Sequence, residues 1–462
     1  MNKRLKSIIA AVASVIVLIA MLVILVNLPS NHISEQYALN AELTVNNNSS
    51  SDIKSINIKN SNDVYTVNVV DGVCSIDELK NLPTSDEYFS ALLSDCSNIM
   101  ASQVIDEDCS DISIFGLSNP RAIVNISYND ETSTKLNIGA DAPQSAGIYV
   151  NVDDSSKIYL FSSDKVDTFL YSKNDFIDKT ITSQSNTEIL QKATLEGSSR
   201  PEPIVFELEN NDSSYNTYKL VSPVLKATDA NQVSAIIEQT QHLTAEDVIA
   251  INPTNEQLNK YGLSQPYSKI TTQYLNNSIT LITSAPQNDK VYIMNTNVPI
   301  IYKISSKDKT FITAQYYDLV SKTILSPTLS TVKNLTVSFD NTYYNFDINL
   351  DNSQNLTVKC NGNNIDTDIF KVYYQNIIGM KSQGFTTEPL VDTNQILTCT
   401  FKYADNNKPD DIISFYKAED ENISLISLNG ICDSFEFKTY TDKIMTDSYN
   451  VSVSQKIDPI DS

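Results

Sequence analysis

Apolar and polar residues alternate with period two along most of this chain, in short runs broken by Asn, Asp, Ser and Gly. That is the pattern of strands with one buried face. Three pairs of runs read as hairpins: Ser55–Ile58 with Val64–Val70, Ile204–Glu209 with Thr217–Val221, and Leu335–Phe339 with Tyr344–Leu350. A stripe at helical spacing follows each pair. It is formed by Phe89, Leu92, Leu93, Cys96, Ile99 and Met100 in the first case, with Asp86 as its expected cap. Val233, Ile236 and Ile237 form it in the second, and Ile369, Val372, Tyr373 and Ile377 in the third. About four further alternating runs then predict a meander. In the first case they are Ala122–Tyr128, Lys135–Ile138, Ile148–Val152 and Lys157–Phe161; in the third they are Thr398–Tyr403, Ile412–Tyr416, Ile423–Leu428 and Ser434–Tyr440. One helix laid across an antiparallel sheet makes an α+β unit, expected here three times in tandem.

The repetition is also visible residue by residue. Phe115-Gly116-Leu117-Ser118-Asn119-Pro120 returns as Tyr261-Gly262-Leu263-Ser264-Gln265-Pro266. Ile148-Tyr149-Val150 returns as Val291-Tyr292-Ile293, Ile158-Tyr159 as Ile301-Tyr302, and Lys179-Thr180-Ile181 as Lys322-Thr323-Ile324. The front of a third copy shows where Ile53–Ile58 matches Val332–Val337. In the Gly-Leu motif Gly116 and Gly262 are expected to turn the chain through positive φ, Leu117 and Leu263 to plug the core, and Pro120 and Pro266 to precede a strand. The expected domains are 53–185, 186–328 and 329–453, with a tail at 454–462.

Composition narrows the chemistry. With 462 residues the chain needs more than one core. A net charge of -23 repels nucleic acid. Two histidines, His32 and His242, leave no basis for a multi-histidine metal site or a His-based triad. The six cysteines lack Cys-x-x-Cys spacing, and one or two disulfides or free thiols fit equally. The acidic groups Asp106-Glu107-Asp108 with Asp111, Asp153-Asp154, and Asp366 with Asp368 lack the spacing of a calcium loop. They read as turns and, at Asp366, a helix cap. No catalytic, cofactor-binding or metal-binding residue is expected, and no cofactor.

At the N-terminus Lys3, Arg4 and Lys6 precede an uncharged run from Ser7 to Pro29. Its core, Ile8 to Val26, spans about 28 Å as a helix, roughly one bilayer thickness. This predicts a single-pass signal anchor over residues 1–29, with its basic end cytoplasmic and the bulk of the chain extracytoplasmic. Residues 30–52 are polar and predict a flexible tether.

The Phe-Gly-Leu-x-x-Pro motif, the Ile-Tyr-Val and Ile-Tyr-Leu strands, and the Asp178-Lys179-Thr180-Ile181 segment together resemble the domain-of-unknown-function family DUF4340. The resemblance is clearest over Phe115–Ile181 and Tyr261–Ile324. It implies a membrane-anchored bacterial repeat protein, an accessory to ABC-type transport components, and it carries over no catalytic residue. The expected function is therefore a non-catalytic accessory or scaffold subunit of an ABC-type transport system. The alternative is an extracytoplasmic module binding a peptide, glycan or cell-wall polymer.

Overall fold

The computed structural model describes residues 43–185, 187–211, 216–351, 355–386 and 388–460. The expected anchor and most of the expected tether lie outside the described residues. Among the described residues no helix is long and apolar enough to cross a membrane.

The fold is α+β, built on three large antiparallel sheets. The first runs, edge to edge, Val73–Ser75, Val64–Val70, Ile53–Asn60, Ala122–Tyr128, Ser133–Asp141, Ile148–Val152, Ile158–Phe161, Gln103–Asp106. The second runs Lys226–Ala227, Asn216–Ser222, Ile204–Asn211, Lys192–Glu196, Ser268–Gln273, Ser278–Thr283, Lys290–Asn295, Ile300–Ser305, Asp247–Ile251. The third runs Asn363–Asn364, Leu356–Cys360, Thr342–Leu350, Val332–Phe339, Gln395–Tyr403, Asp411–Lys417, Ile423–Leu428, Ile431–Phe437, Gly384–Phe385. One strand order recurs: an opening set of antiparallel strands, a four-strand meander beside its first strand, and a short strand returning to the far edge.

The buried faces follow the alternation. Ile56, Ile58, Val124, Ile126, Leu136 and Ile138 are fully buried in the first sheet, as are Leu335, Val337, Phe346 and Phe401 in the third. Three helices bury parts of the predicted stripes; Ile99 and Met100, expected on the first, lie beyond it in the strand Asn98–Met100, with Ile99 buried and Met100 exposed. Helix α1 (Asp86–Ser97) buries Phe89, Leu92 and Cys96, and α2 (Ala230–Gln241) buries Val233 and Ile236. Helix α3 (Thr367–Ile378) is rotated from expectation: Phe370, Tyr373, Tyr374 and Ile377 are buried, while Ile369 and Val372 are half-buried. Two aromatics, larger than the aliphatics beside them, occupy the deeper positions. Asp366 caps α3 as expected, whereas the N-cap of α1 is Ser85 and Asp86 is its first residue.

By contact the chain divides into two compact units. One comprises Met1–Ile181, Thr244–Leu258 and Val298–Ile304, and the other Thr182–Leu243, Asn259–Asn297 and Ser305–Ser462.

Four expectations are corrected. Strand Lys192–Glu196 opens the second sheet and pairs with both Ile204–Asn211 and Ser268–Gln273. Its inward residues are only Ala193 and Leu195, too weak an alternation to register. The last strand of the third sheet ends at Phe437, and Lys438–Ser452 is a fifteen-residue helix, α4. Thr44–Asn47, assigned to the tether, is a strand paired with Asn98–Met100, and Asn46 hydrogen-bonds Tyr128 and Thr134.

The fourth concerns Lys179-Thr180-Ile181 and Lys322-Thr323-Ile324, expected to close their units. Each instead leads into the next sheet. The Lys179 carbonyl accepts the N–H of Ala245 at 2.7 Å, just beyond α2, and the Lys322 carbonyl accepts that of Ser382 at 2.7 Å, just beyond α3. Leu43, before Thr44-Val45, accepts the N–H of Ala101 at 2.8 Å, just beyond α1. The next N–H in each case, from Ser102, Glu246 and Gln383, donates to Leu160, Lys303 and Phe435 at the sheet edge.

Glu436, beside the start of α4, is a buried acid at 2% exposure, its carboxylate accepting the N–H of Phe437 at 2.8 Å. Burial raises its pKa above the usual 4.5. The folded state thus favours the protonated form, so this contribution to stability is complete below about pH 4.5 and is lost as pH rises through the raised value. Glu436→Gln is expected to raise stability at pH 7 by about 1 kcal/mol or less, with little change at pH 4. Urea unfolding at the two pH values checks this.

Candidate functional site

The two Gly-Leu motifs form the same kind of turn. In the first, Ile112–Phe115 is a short 3-10 helix capped by Asp111, whose carboxylate accepts the Ser113 N–H at 3.0 Å. Gly116 terminates it at φ 70, and the N–H groups of Gly116 and Leu117 return to Ser113 and Ile112. In the second, helix Asn255–Lys260 precedes Gly262, also at φ 70, whose N–H returns to Asn259. Leu117 and Leu263 are buried, and Pro120 and Pro266 stand just ahead of strands Ala122–Tyr128 and Ser268–Gln273. Phe115 packs edge-on against Tyr149, centroids 4.8 Å apart, and Tyr261 against Tyr292 at 4.6 Å. All eight motif residues thus lie where a fold-supporting turn needs them.

The turns differ in clearance. A Cβ on Gly116 would lie 2.9 Å from the Ala140 nitrogen, whereas one on Gly262 would lie 3.4 Å from the nearest atom, Ser284 Cβ. Gly139 is needed for the same reason, since a Cβ there would lie 2.3 Å from the Phe115 carbonyl oxygen. The second motif, which lacks the equivalent of Gly139, sits farther from its strand.

The acidic groups are held as turns. Asp153 accepts the Lys135 N–H, and Asp154 bonds the Lys135 ammonium and Asn137. Among the described residues no group of three or more His, Cys, Asp or Glu side chains is placed to hold a metal. All six cysteines are free. Burial pushes the thiols of Cys360 and Cys399 up to about 11 and about 12, which keeps them protonated and unreactive. His242 is exposed in the strand His242–Thr244. Tyr302 is buried and donates to the Asp178 carbonyl, while Tyr149, Tyr159 and Tyr292 are half-buried.

Recessed surface collects instead around the helical turns that link the second and third sheets, Thr310–Thr313 and Tyr316–Leu319. Arg200 underlies them. It is 6% exposed and pairs with no carboxylate among the described residues; its guanidinium donates to the carbonyls of Ala314 at 2.9 Å and Phe311 at 3.0 Å, and to the Ser268 hydroxyl at 2.9 Å. Burial lowers its pKa to about 10, so it remains a cation that satisfies carbonyls at the end of a helical turn. In the first sheet Asn60 makes the equivalent bonds, donating to Phe169 at 3.0 Å and Tyr171 at 2.8 Å. Sequence reading passed over Arg200, although its scarcity was a signal: the chain has three arginines.

Above Arg200 opens a cleft of about 300 Å³, walled by Pro201, Ile204, Pro223, Val224, Tyr316 and Tyr317. Burial, with Asp433 nearby, holds the Tyr316 phenol up at about 12, so it is a neutral donor, here to the Val224 carbonyl at 3.1 Å. Tyr317 stacks on Phe385 of the third sheet, centroids 4.4 Å apart and planes at 16°. Lys226 of the second sheet pairs with Asp433 of the third at 2.5 Å. On the other side of Tyr317 lies a polar hollow of about 360 Å³ lined by Asp229, Asp308, Asp318, Lys309 and Lys322. Two of its carboxylates are engaged locally: Asp229 caps α2, and Asp318 accepts the Gln315 N–H.

The family model described as a domain of unknown function, DUF4340, matches residues 75–266 and again 219–396. Both matches begin in the strand region ahead of a helix, α1 or α2, and both end at or beside the first meander strand of the following sheet. No curated protein and no solved structure matches the chain.

Two outcomes are expected from this geometry. Gly262→Ala should cost about 1 kcal/mol through positive φ alone, and Gly116→Ala about 2–3 kcal/mol because its methyl also meets backbone. Arg200→Ala should cost about 2–4 kcal/mol by leaving buried carbonyls unpaired. Chemical denaturation of each variant beside the parent measures both.

Proposed function

The chain belongs to the DUF4340 family, and on that premise we propose that it is a non-catalytic accessory or scaffold protein that works by docking on a partner. The observation that carries this reading is the apolar and aromatic strip around Tyr317. Val224 and Leu225 stand 52% and 67% exposed beside the cleft, and Tyr317, Phe385 and Ile431 continue the apolar surface onto the third sheet. Contiguous exposed apolar surface of this kind marks an interaction site. The proposed partner, an ABC-type transport complex, rests on the sequence resemblance. So does the proposed setting, a single N-terminal anchor with the rest of the chain outside the membrane, together with the apolar run from Ser7 to Pro29.

We further propose three tandem copies of one α+β unit. The common strand order supports this, as do the equivalent hydrogen bonds of Ala101, Ala245 and Ser382 and the matching phase of the two family matches.

A second reading, a ligand-binding module, has the polar hollow beside α2 in its favour, since carboxylates and lysines converge there. It ranks second because two of the three carboxylates are committed to capping backbone.

Affinity purification of the full chain from gently solubilised membranes, against a version lacking Ser7–Pro29, tests the first reading. Transport subunits recovered with the anchored form are expected. Recovery of the protein alone, even after crosslinking, would overturn the accessory role.

A further inference from the structure

The cleft at Tyr316 and Tyr317 has the features of a seat for a peptide. Its volume, about 300 Å³, lies at the lower limit of small-molecule pockets and suits two or three aliphatic or prolyl side chains. Its walls are set in advance: the Tyr316 hydroxyl is bonded to the Val224 carbonyl, and the Tyr317 ring is held against Phe385. Rigid aromatic walls lower the ordering cost of binding. The apolar surface is also elongated, passing from Val224 through Tyr317 and Phe385 towards Ile431, which suits an extended segment better than a compact ligand.

Charge selects the occupant. Arg200 at the floor is buried and donates to carbonyl and hydroxyl oxygens, and Lys226 is paired with Asp433. The exposed charge at the rim of the cleft is a carboxylate, Glu202. The polar hollow beyond Tyr317 adds Asp229, Asp308 and Asp318 against Lys309 and Lys322. The whole chain carries -23, so a second copy would be repelled and a cationic segment attracted.

We propose that this groove binds an extended apolar segment of a different polypeptide, flanked by lysine or arginine. The proposal rests on the docking reading above and deepens it by naming the surface and the chemistry of the partner.

A peptide panel on the full chain tests it: one apolar Leu/Pro/Val core library carrying lysine, neutral or glutamate flanks, read by fluorescence anisotropy at low and physiological salt. Lysine-flanked members should bind best, and more weakly as salt rises. Val224→Lys with Leu225→Lys, both exposed positions, should weaken binding at least tenfold with an unchanged melting temperature. Glu202→Lys should weaken the lysine-flanked peptides and spare the neutral ones. Preference for glutamate flanks, no binding by any member, or equal binding to the Val224→Lys/Leu225→Lys chain would overturn the proposal. So would a salt-resistant dimer of the parent chain that the double variant dissolves. Failure here is separable from failure of the accessory role. Transport subunits recovered equally by the parent and the double variant would keep that role and remove this groove. Peptide binding without such subunits would do the reverse.

Discussion

In each of the three sheets, two consecutive backbone N–H groups just beyond a helix donate in opposite directions. One reaches the segment that leads into the sheet, at Leu43, Lys179 or Lys322; the next reaches the last meander strand, at Leu160, Lys303 or Phe435. The fold depends on this pair of bonds. They hold the exit of the helix between two elements distant in sequence, so the chain can cross the sheet once and return along its far edge. Because only backbone is involved, the residues there can differ, and Ala101, Ala245 and Ser382 serve alike. The arrangement also limits the exposed edges to strands of two to five residues, Val73–Ser75 and Gln103–Asp106 among them, which restrains edge-to-edge pairing.

The same constraint explains where surface chemistry collects. Once the meander ends, the chain travels back against the helix of its own sheet, α1 or α2, before it leads into the next sheet. It does so through short helical turns whose carbonyls cannot all bond within the turn. Asn60 supplies donors to the turn after the first sheet, and Arg200 to the turn after the second. After the third sheet the long helix Lys438–Ser452 takes the place of the turns. The Arg200 turn therefore carries two adjacent aromatics, half-buried Tyr316 and exposed Tyr317, and Tyr317 stacks on the third sheet's Phe385. That placement gives a structural linker a groove of its own.

Much of this was legible in the sequence, and some of it was not, for reasons visible in particular residues. The hairpin Ile53–Asn60 with Val64–Val70, the meander strands and the stripes of α1 and α2 follow from periodicity, because each strand buries every second residue. The Gly-Leu turns follow from one local requirement, a positive φ with a buried leucine after it. Strand Lys192–Glu196 escaped notice because it places only Ala193 and Leu195 inward and is followed by turn residues. Lys179-Thr180-Ile181 was visible as a repeat, but its direction was not, since so short a segment, at the start of strand Thr180–Ser183, carries no information about which sheet it will join.

The sequence alone determined the α+β class, the period-two alternation of its strands and the positive-φ turns at Gly116 and Gly262. These depend on interactions within a few residues or on alternation against a common core. The tertiary structure decided where the Lys179 and Lys322 carbonyls bond, the carbonyl clamp of Arg200 and the groove at Tyr316 and Tyr317. Each of these is a meeting of backbone or rings far apart in the chain, such as Arg200 with Ala314 or Tyr317 with Phe385. Such meetings are fixed by which surfaces remain to be covered after the sheets have formed, and no local pattern encodes them.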